Sequence, residues 1–123
     1  MEKEELLIDT SSILFSFSNN KDIFEILSEN KEYTLVISKG IIRELTKFSK
    51  SKKHIRKNAV MALYSIKKNR PIIEDSNIYV DDWILKKAVK NNIMVCTNDI
   101  NLKKKLRKYH IKVLSVNNTG ILR

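Results

Sequence analysis

The sequence predicts an α/β domain with a mainly parallel sheet covered by helices on both faces. Three observations carry that expectation. Short apolar runs alternate with amphipathic stretches along the whole chain. Most of these runs are continuously apolar, as strands buried on both faces are. The chain has 123 residues, of which 42% are hydrophobic, which suits one domain with a real core. Residues 1–123 are therefore read as a single domain, and no internal repeat is visible.

Leu6-Leu7-Ile8 reads as a buried strand feeding a helix through Asp9-Thr10-Ser11-Ser12. Ile23, Phe24, Ile26 and Leu27 follow at helical spacing. Tyr33 to Ile37 is β-branched and aromatic, a second strand. Ser38 is placed to cap the next helix, in which Ile41, Leu45 and Phe48 recur every three or four residues. A polar basic segment runs from Ser49 to Lys57, after which Val60, Leu63, Tyr64 and Lys67 continue a helix. Ile72-Ile73 is a short third strand, and Asp81 to Asn91 a helix. Ile93 to Cys96 is a fourth strand, Leu102 to Tyr109 a helix and Ile111 to Val116 a fifth strand.

Composition excludes several classes. Two glycines and one proline argue against a Gly-rich phosphate loop or a long linker. A lone cysteine, Cys96, rules out an internal disulfide and a multi-cysteine zinc site, and its place in a strand predicts a small core residue. His54 and His110 lack ligand spacing, and no Ser-His-Asp or Cys-His arrangement is suggested. No apolar run approaches the roughly 20 residues that span a bilayer. The acidic start, Met1-Glu2-Lys3-Glu4-Glu5, is unlike a signal peptide, so a cytoplasmic protein is expected.

The formal net charge is +10, and its distribution matters more than its sum. Residues 1–44 hold five basic and nine acidic residues, whereas residues 45–123 hold nineteen basic and five acidic ones. A field of that size favours a polyanion partner such as nucleic acid.

Against this background some carboxylates stand out. Asp9 follows Leu6-Leu7-Ile8 directly, and Asp99 has a similar relation to Met94-Val95-Cys96-Thr97. Sites in open α/β sheets form beyond the carboxyl ends of strands, although each Asp could merely cap the following helix. At about 100° per residue, Ile84, Leu85, Ala88 and Val89 form an apolar stripe with Asp81 near its centre line. Asp81 is thus expected to point toward the sheet edge. Asp82 is expected to cap the helix or to pair with Lys86, and Trp83 to lie outside the core. Glu44 sits on a helix with an otherwise apolar face and becomes a fourth acid with a similar address. Carboxylates gathered in one pocket repel each other unless a cation is present. Mg²⁺ or Mn²⁺ accepts oxygen ligands and neutralises such a cluster. A basic protein that concentrates carboxylates at one point has the means of a metal-dependent nuclease.

The motifs now resemble those of the PIN domain nucleases across nearly the whole chain. Leu6-Leu7-Ile8-Asp9-Thr10-Ser11 resembles the first motif, and Ile41-Ile42-Arg43-Glu44-Leu45 the second. Asp81-Asp82-Trp83-Ile84 resembles the third, selecting Asp81 over Asp82, and Thr97-Asn98-Asp99 the fourth. The acids follow at spacings of 35, 37 and 18 residues. The resemblance implies a three-layer α/β/α fold around a five-stranded, mainly parallel sheet, and a Mg²⁺- or Mn²⁺-dependent endoribonuclease that cleaves single-stranded or structured RNA. It implies Asp9, Glu44, Asp81 and Asp99 as catalytic and metal-holding residues, supported by Thr10, Ser11 and Thr97. Asn101 stands where many members carry another acid, which weakens the charge for a second metal. Such domains often pair as homodimers. The run Thr97-Asn98-Asp99 with Leu102 to Arg107, the Ile111-Lys112-Val113 strand and the Lys-rich segment after Glu44 resemble archaeal Fcf1-type proteins of ribosomal RNA processing. RNA, pre-rRNA or the ribosomal subunit would then be the partner. A toxin of a toxin–antitoxin pair and a non-catalytic RNA-binding assembly factor are the competing readings. Lys50, Lys52, Lys53 and Arg56, and Lys103, Lys104 and Arg107, are the candidate RNA-backbone contacts, the second group being the stronger because it follows Asp99.

Overall fold

The computed structural model describes residues 3–29 and 32–119. The chain runs β1 (Glu4–Ile8), α1 (Thr10–Ser18), α2 (Ile23–Glu29), β2 (Tyr33–Ser38), α3 (Lys39–Ser49), α4 (Ile55–Asn69), β3 (Ile72–Glu74), α5 (Val80–Asn91), β4 (Met94–Cys96), α6 (Ile100–Lys108) and β5 (Val113–Leu114). The five strands form one sheet in the order β3-β2-β1-β4-β5, and every pairing is parallel. The order reverses between β1 and β4, which opens a crevice where the two chain directions part. No described helix is long and apolar enough to cross a membrane.

Strand periodicity sorts the core into two layers. Leu6, Ile8, Leu35, Ile37, Met94 and Cys96 face one side and pack under α1 to α4. Leu7, Val36 and Val95 face the other side and pack with residues of α5 and α6. The central strands are buried on both faces, so their sequences are continuously apolar.

Several local expectations are corrected or refined. Trp83 is 7% exposed and belongs to the second core layer. The helix α5 packs on α6 as well as on the sheet, so it buries a wider arc than the stripe suggested, and Val89 is left half out at 38%. On α4 the buried residues are Ala59, Ala62, Ser65 and Ile66, while Val60 and Tyr64 face outward. Small residues let α4 approach α1 to α3 closely, and the Ser65 hydroxyl is satisfied by Asp22 at 2.6 Å. Ser38 does occupy the cap position of α3, but its hydroxyl makes no capping bond and is buried without a partner. The fifth strand is also shorter than expected, two residues at the sheet edge.

Candidate active site

The four acids reach one edge of the sheet by different routes. Asp9 directly follows β1, and its amide donates to the Cys96 carbonyl at the end of β4 (3.0 Å). Glu44 lies in the second turn of α3, after β2. Asp81 lies in the first turn of α5, beyond β3, and Asp99 precedes α6, beyond β4. All four thus sit past the carboxyl ends of strands, around the switch between β1 and β4.

Asp9 is buried, and two hydroxyls fix its carboxylate. Ser11 Oγ and Thr97 Oγ1 each donate to Oδ2 at 2.7 Å. Each hydroxyl is itself held by a backbone amide, Asn98 N–H on Ser11 (3.1 Å) and Asp99 N–H on Thr97 (3.0 Å). The Asp9 side chain does not cap α1, although the residue occupies the cap position. Capping therefore does not explain this carboxylate. For Asp99 it does in part, because Oδ1 accepts from the amides of Asn101 (2.9 Å) and Leu102 (3.1 Å). That bond pair fixes one oxygen and sets the direction of the other. Thr10 Oγ1 donates to Glu44 Oε1 at 2.9 Å, tying α1 to α3. Thr10, Ser11 and Thr97 thus touch the site acids, whereas Asn101 contributes its amide from an exposed position.

Asp81 is held by no hydrogen bond among the described residues, and its carboxyl titrates above the ordinary carboxylate range. Burial is the main cause, followed by the charges of Asp9, Asp99 and Glu44, with Lys105 opposing them. The four carboxylates therefore share one electrostatic field. They do not close on a point: among the described residues no three His, Cys, Asp or Glu side chains converge enough to hold a metal ion. By donor chemistry the set fits a hard divalent cation, since it offers carboxylate oxygens and no His or Cys. The charges of Asp9, Asp99 and Glu44, which add to burial in raising the Asp81 titration, are what such a cation would neutralise.

Asp82 is exposed on the first turn of α5 and makes neither expected contact. Lys86 takes part in neither the Lys39–Asp75 (3.8 Å) nor the Lys87–Glu74 (2.7 Å) ion pair. Cys96 is fully buried, and burial pushes its thiol up to about 12, so it is an unreactive core residue.

Lys103 and Lys104 stand in the first turns of α6, next to Asp99, and Arg107 one turn further on. Lys50, Lys52, Lys53 and Arg56 are exposed at the α3–α4 junction. Two positioning residues escape a reading by motif. Ser12 Oγ donates to the carbonyls of Asp9 (2.8 Å) and Cys96 (3.1 Å), clamping the ends of β1 and β4 together. Asn98 makes a two-way bond with the Val116 backbone at 2.9 Å each way, fixing the loop between Thr97 and Asp99. Only its place between two motif residues hinted at this.

A relative 32% identical over 117 residues, named Ribonuclease VapC4, comes from Methanocaldococcus jannaschii and aligns over 91% of this chain and 89% of its own. Among solved structures, the PIN domain endonuclease Utp24 superposes with a TM-score of 0.78 at 28% identity, covering 97% of this chain and 89% of that one. A domain of a functionally unknown protein from M. jannaschii shares the fold alone, with a TM-score of 0.65 at 14% identity over 93% of this chain and 91% of that one. The family described as PIN like domain matches residues 6–119, and the chain belongs to that family.

Proposed function

We propose that this protein is a single-domain, divalent-metal-dependent endoribonuclease with Asp9, Glu44, Asp81 and Asp99 at its catalytic centre. The carrying observation is that carboxylates from four separate segments stand past the carboxyl ends of strands at one edge of the sheet, with Thr97 linking Asp9 to the Asp99 backbone. The relatedness to Ribonuclease VapC4 and the likeness to the PIN domain endonuclease Utp24 support the reaction class.

In this reading Asp9, Glu44, Asp81 and Asp99 would hold Mg²⁺ or Mn²⁺. When bound, the ion supplies Lewis-acid stabilisation of phosphoryl charge and lowers the pKa of a nucleophilic water. The protein's own part is preorganisation. Ser11 and Thr97 keep Asp9 in one rotamer, so no reorientation is needed during reaction. Thr10 sets Glu44, and the helix amides set Asp99. Asp81 is the adjustable fourth arm. Lys103 and Lys104 lie beside Asp99, where they would bind the RNA backbone, and Lys50, Lys52, Lys53 and Arg56 would extend that contact.

Ribosomal RNA processing in the cytoplasm is the role we favour, on the Fcf1-type resemblance of Thr97 to Arg107. Incubation with a ribosomal RNA fragment and Mn²⁺ should give discrete cleavage that EDTA abolishes. RNA binding without turnover, unchanged by EDTA, would instead make the protein a non-catalytic assembly factor. Growth arrest on expression without rRNA cleavage would favour the toxin role.

A further inference from the structure

Beside the acids lies a groove of about 940 Å³, walled by the first turns of α3 and by the loop leading into α5. Glu44 and Asp81 line it, so it opens directly onto the catalytic edge. Its outer wall is braced. Arg43 Nη2 donates to the Ser76 carbonyl at 2.8 Å, and the Ile78 amide donates to Ser76 Oγ at 3.3 Å. Gly40 lets the start of α5 come close, because a Cβ there would lie 3.1 Å from Val80 Cγ2.

On this braced rim stands Tyr79, with 84% of its surface exposed. It is the most exposed large hydrophobic side chain among the described residues, and it lies two positions before Asp81. Among the described residues no hydrogen bond engages its hydroxyl, and the ring takes no part in either core layer. What sets Tyr79 apart from the other exposed aromatics is its place on the groove beside Glu44 and Asp81, where its ring offers a face to a ligand.

The charges of the groove select the ligand. Glu44, Asp81 and Asp82 outnumber Arg43 along its walls, so a phosphate is repelled from it. A neutral planar base is not. Base-paired RNA keeps its base faces stacked inside the duplex, so only an unpaired nucleotide can present one. We infer that Tyr79 stacks a base of the RNA next to the phosphate at the acid cluster. The inference rests on the ribonuclease reading and adds a base-binding subsite to it.

The test is fluorescence anisotropy in EDTA with a labelled, unstructured oligoribonucleotide and the same strand made abasic. Tyr79→Ala should weaken binding of the intact strand about tenfold, and Tyr79→Trp should restore it. The slope of affinity against salt should not change, since no phosphate contact is lost. Both proteins should bind the abasic strand equally. Unchanged affinity for the intact strand in Tyr79→Ala, or an equal loss on the abasic strand, overturns the inference and leaves the groove to a protein partner. Failure of the two ideas is separable. Base-dependent binding without cleavage in Mn²⁺ overturns only the ribonuclease reading, whereas cleavage with an indifferent Tyr79 overturns only the stack.

Discussion

Asp9→Asn should lower RNA cleavage by roughly a thousandfold, about 4 kcal/mol of transition-state stabilisation, while the fold persists. The amide oxygen of Asn can still accept from Ser11 and Thr97, so the buried hydroxyls keep their partner. What disappears is the negative charge that the site offers a cation. Initial rates with Mn²⁺ measure the loss, and circular dichroism melting checks the fold. A variant that cleaves at the wild-type rate would remove Asp9 from the chemistry. Replacing Ser12 would not be an equivalent test. That hydroxyl joins two strand ends, so its loss disturbs structure and site together.

Asp81→Asn should act in opposite directions on activity and on stability. Burial and three neighbouring carboxylates raise the Asp81 titration. A carboxyl whose folded pKa lies above its unfolded value stabilises at low pH, and that contribution is lost as pH rises through the folded pKa. At neutral pH without metal the ionised Asp81 is therefore a cost. Asp81 is largely exposed, so solvent screens this cost; the Asn variant should melt only slightly higher there, and the gap should close at a pH below the ordinary carboxylate range. With Mn²⁺ the order should reverse, because the wild type gains by binding and the variant gains far less. Cleavage by the variant should be nearly abolished. Thermal melts across pH, with and without Mn²⁺, read both signs. A variant that is less stable without metal at neutral pH would mean that Asp81 serves the fold and not the site.

Much of this was legible in the chain because local chemistry and global fold agree. Continuous apolar runs such as Leu6-Leu7-Ile8 are strands covered on both faces, and Asp9 at the end of one has no apolar reason to be there. The misreadings have a common origin, since periodicity describes one packing partner and several helices have two. Trp83 is buried because α6 meets α5 on a second side. The buried face of α4 turns on Ala59, Ala62 and Ser65, residues whose value lies in being small rather than hydrophobic. Ser38 sits at a cap position without acting as a cap, which hydrogen-bond geometry decides and composition does not. The same holds for Ser12 and Asn98. Their partners, Cys96 and Val116, lie 84 and 18 residues away, beyond the reach of a local pattern. The groove of Tyr79 was invisible for a further reason. It exists only where α3 and the loop before α5 are brought side by side.

The central claim is that Asp9, Glu44, Asp81 and Asp99 draw together around a divalent ion. An anomalous-scattering map from a crystal soaked in Mn²⁺ tests it most directly. The account predicts a peak among these four side chains, with carboxylate oxygens at about 2.0–2.6 Å from the ion and the Asp81 side chain swung inward. A map with no peak there, or with Mn²⁺ bound elsewhere while the four carboxylates stay apart, would contradict it.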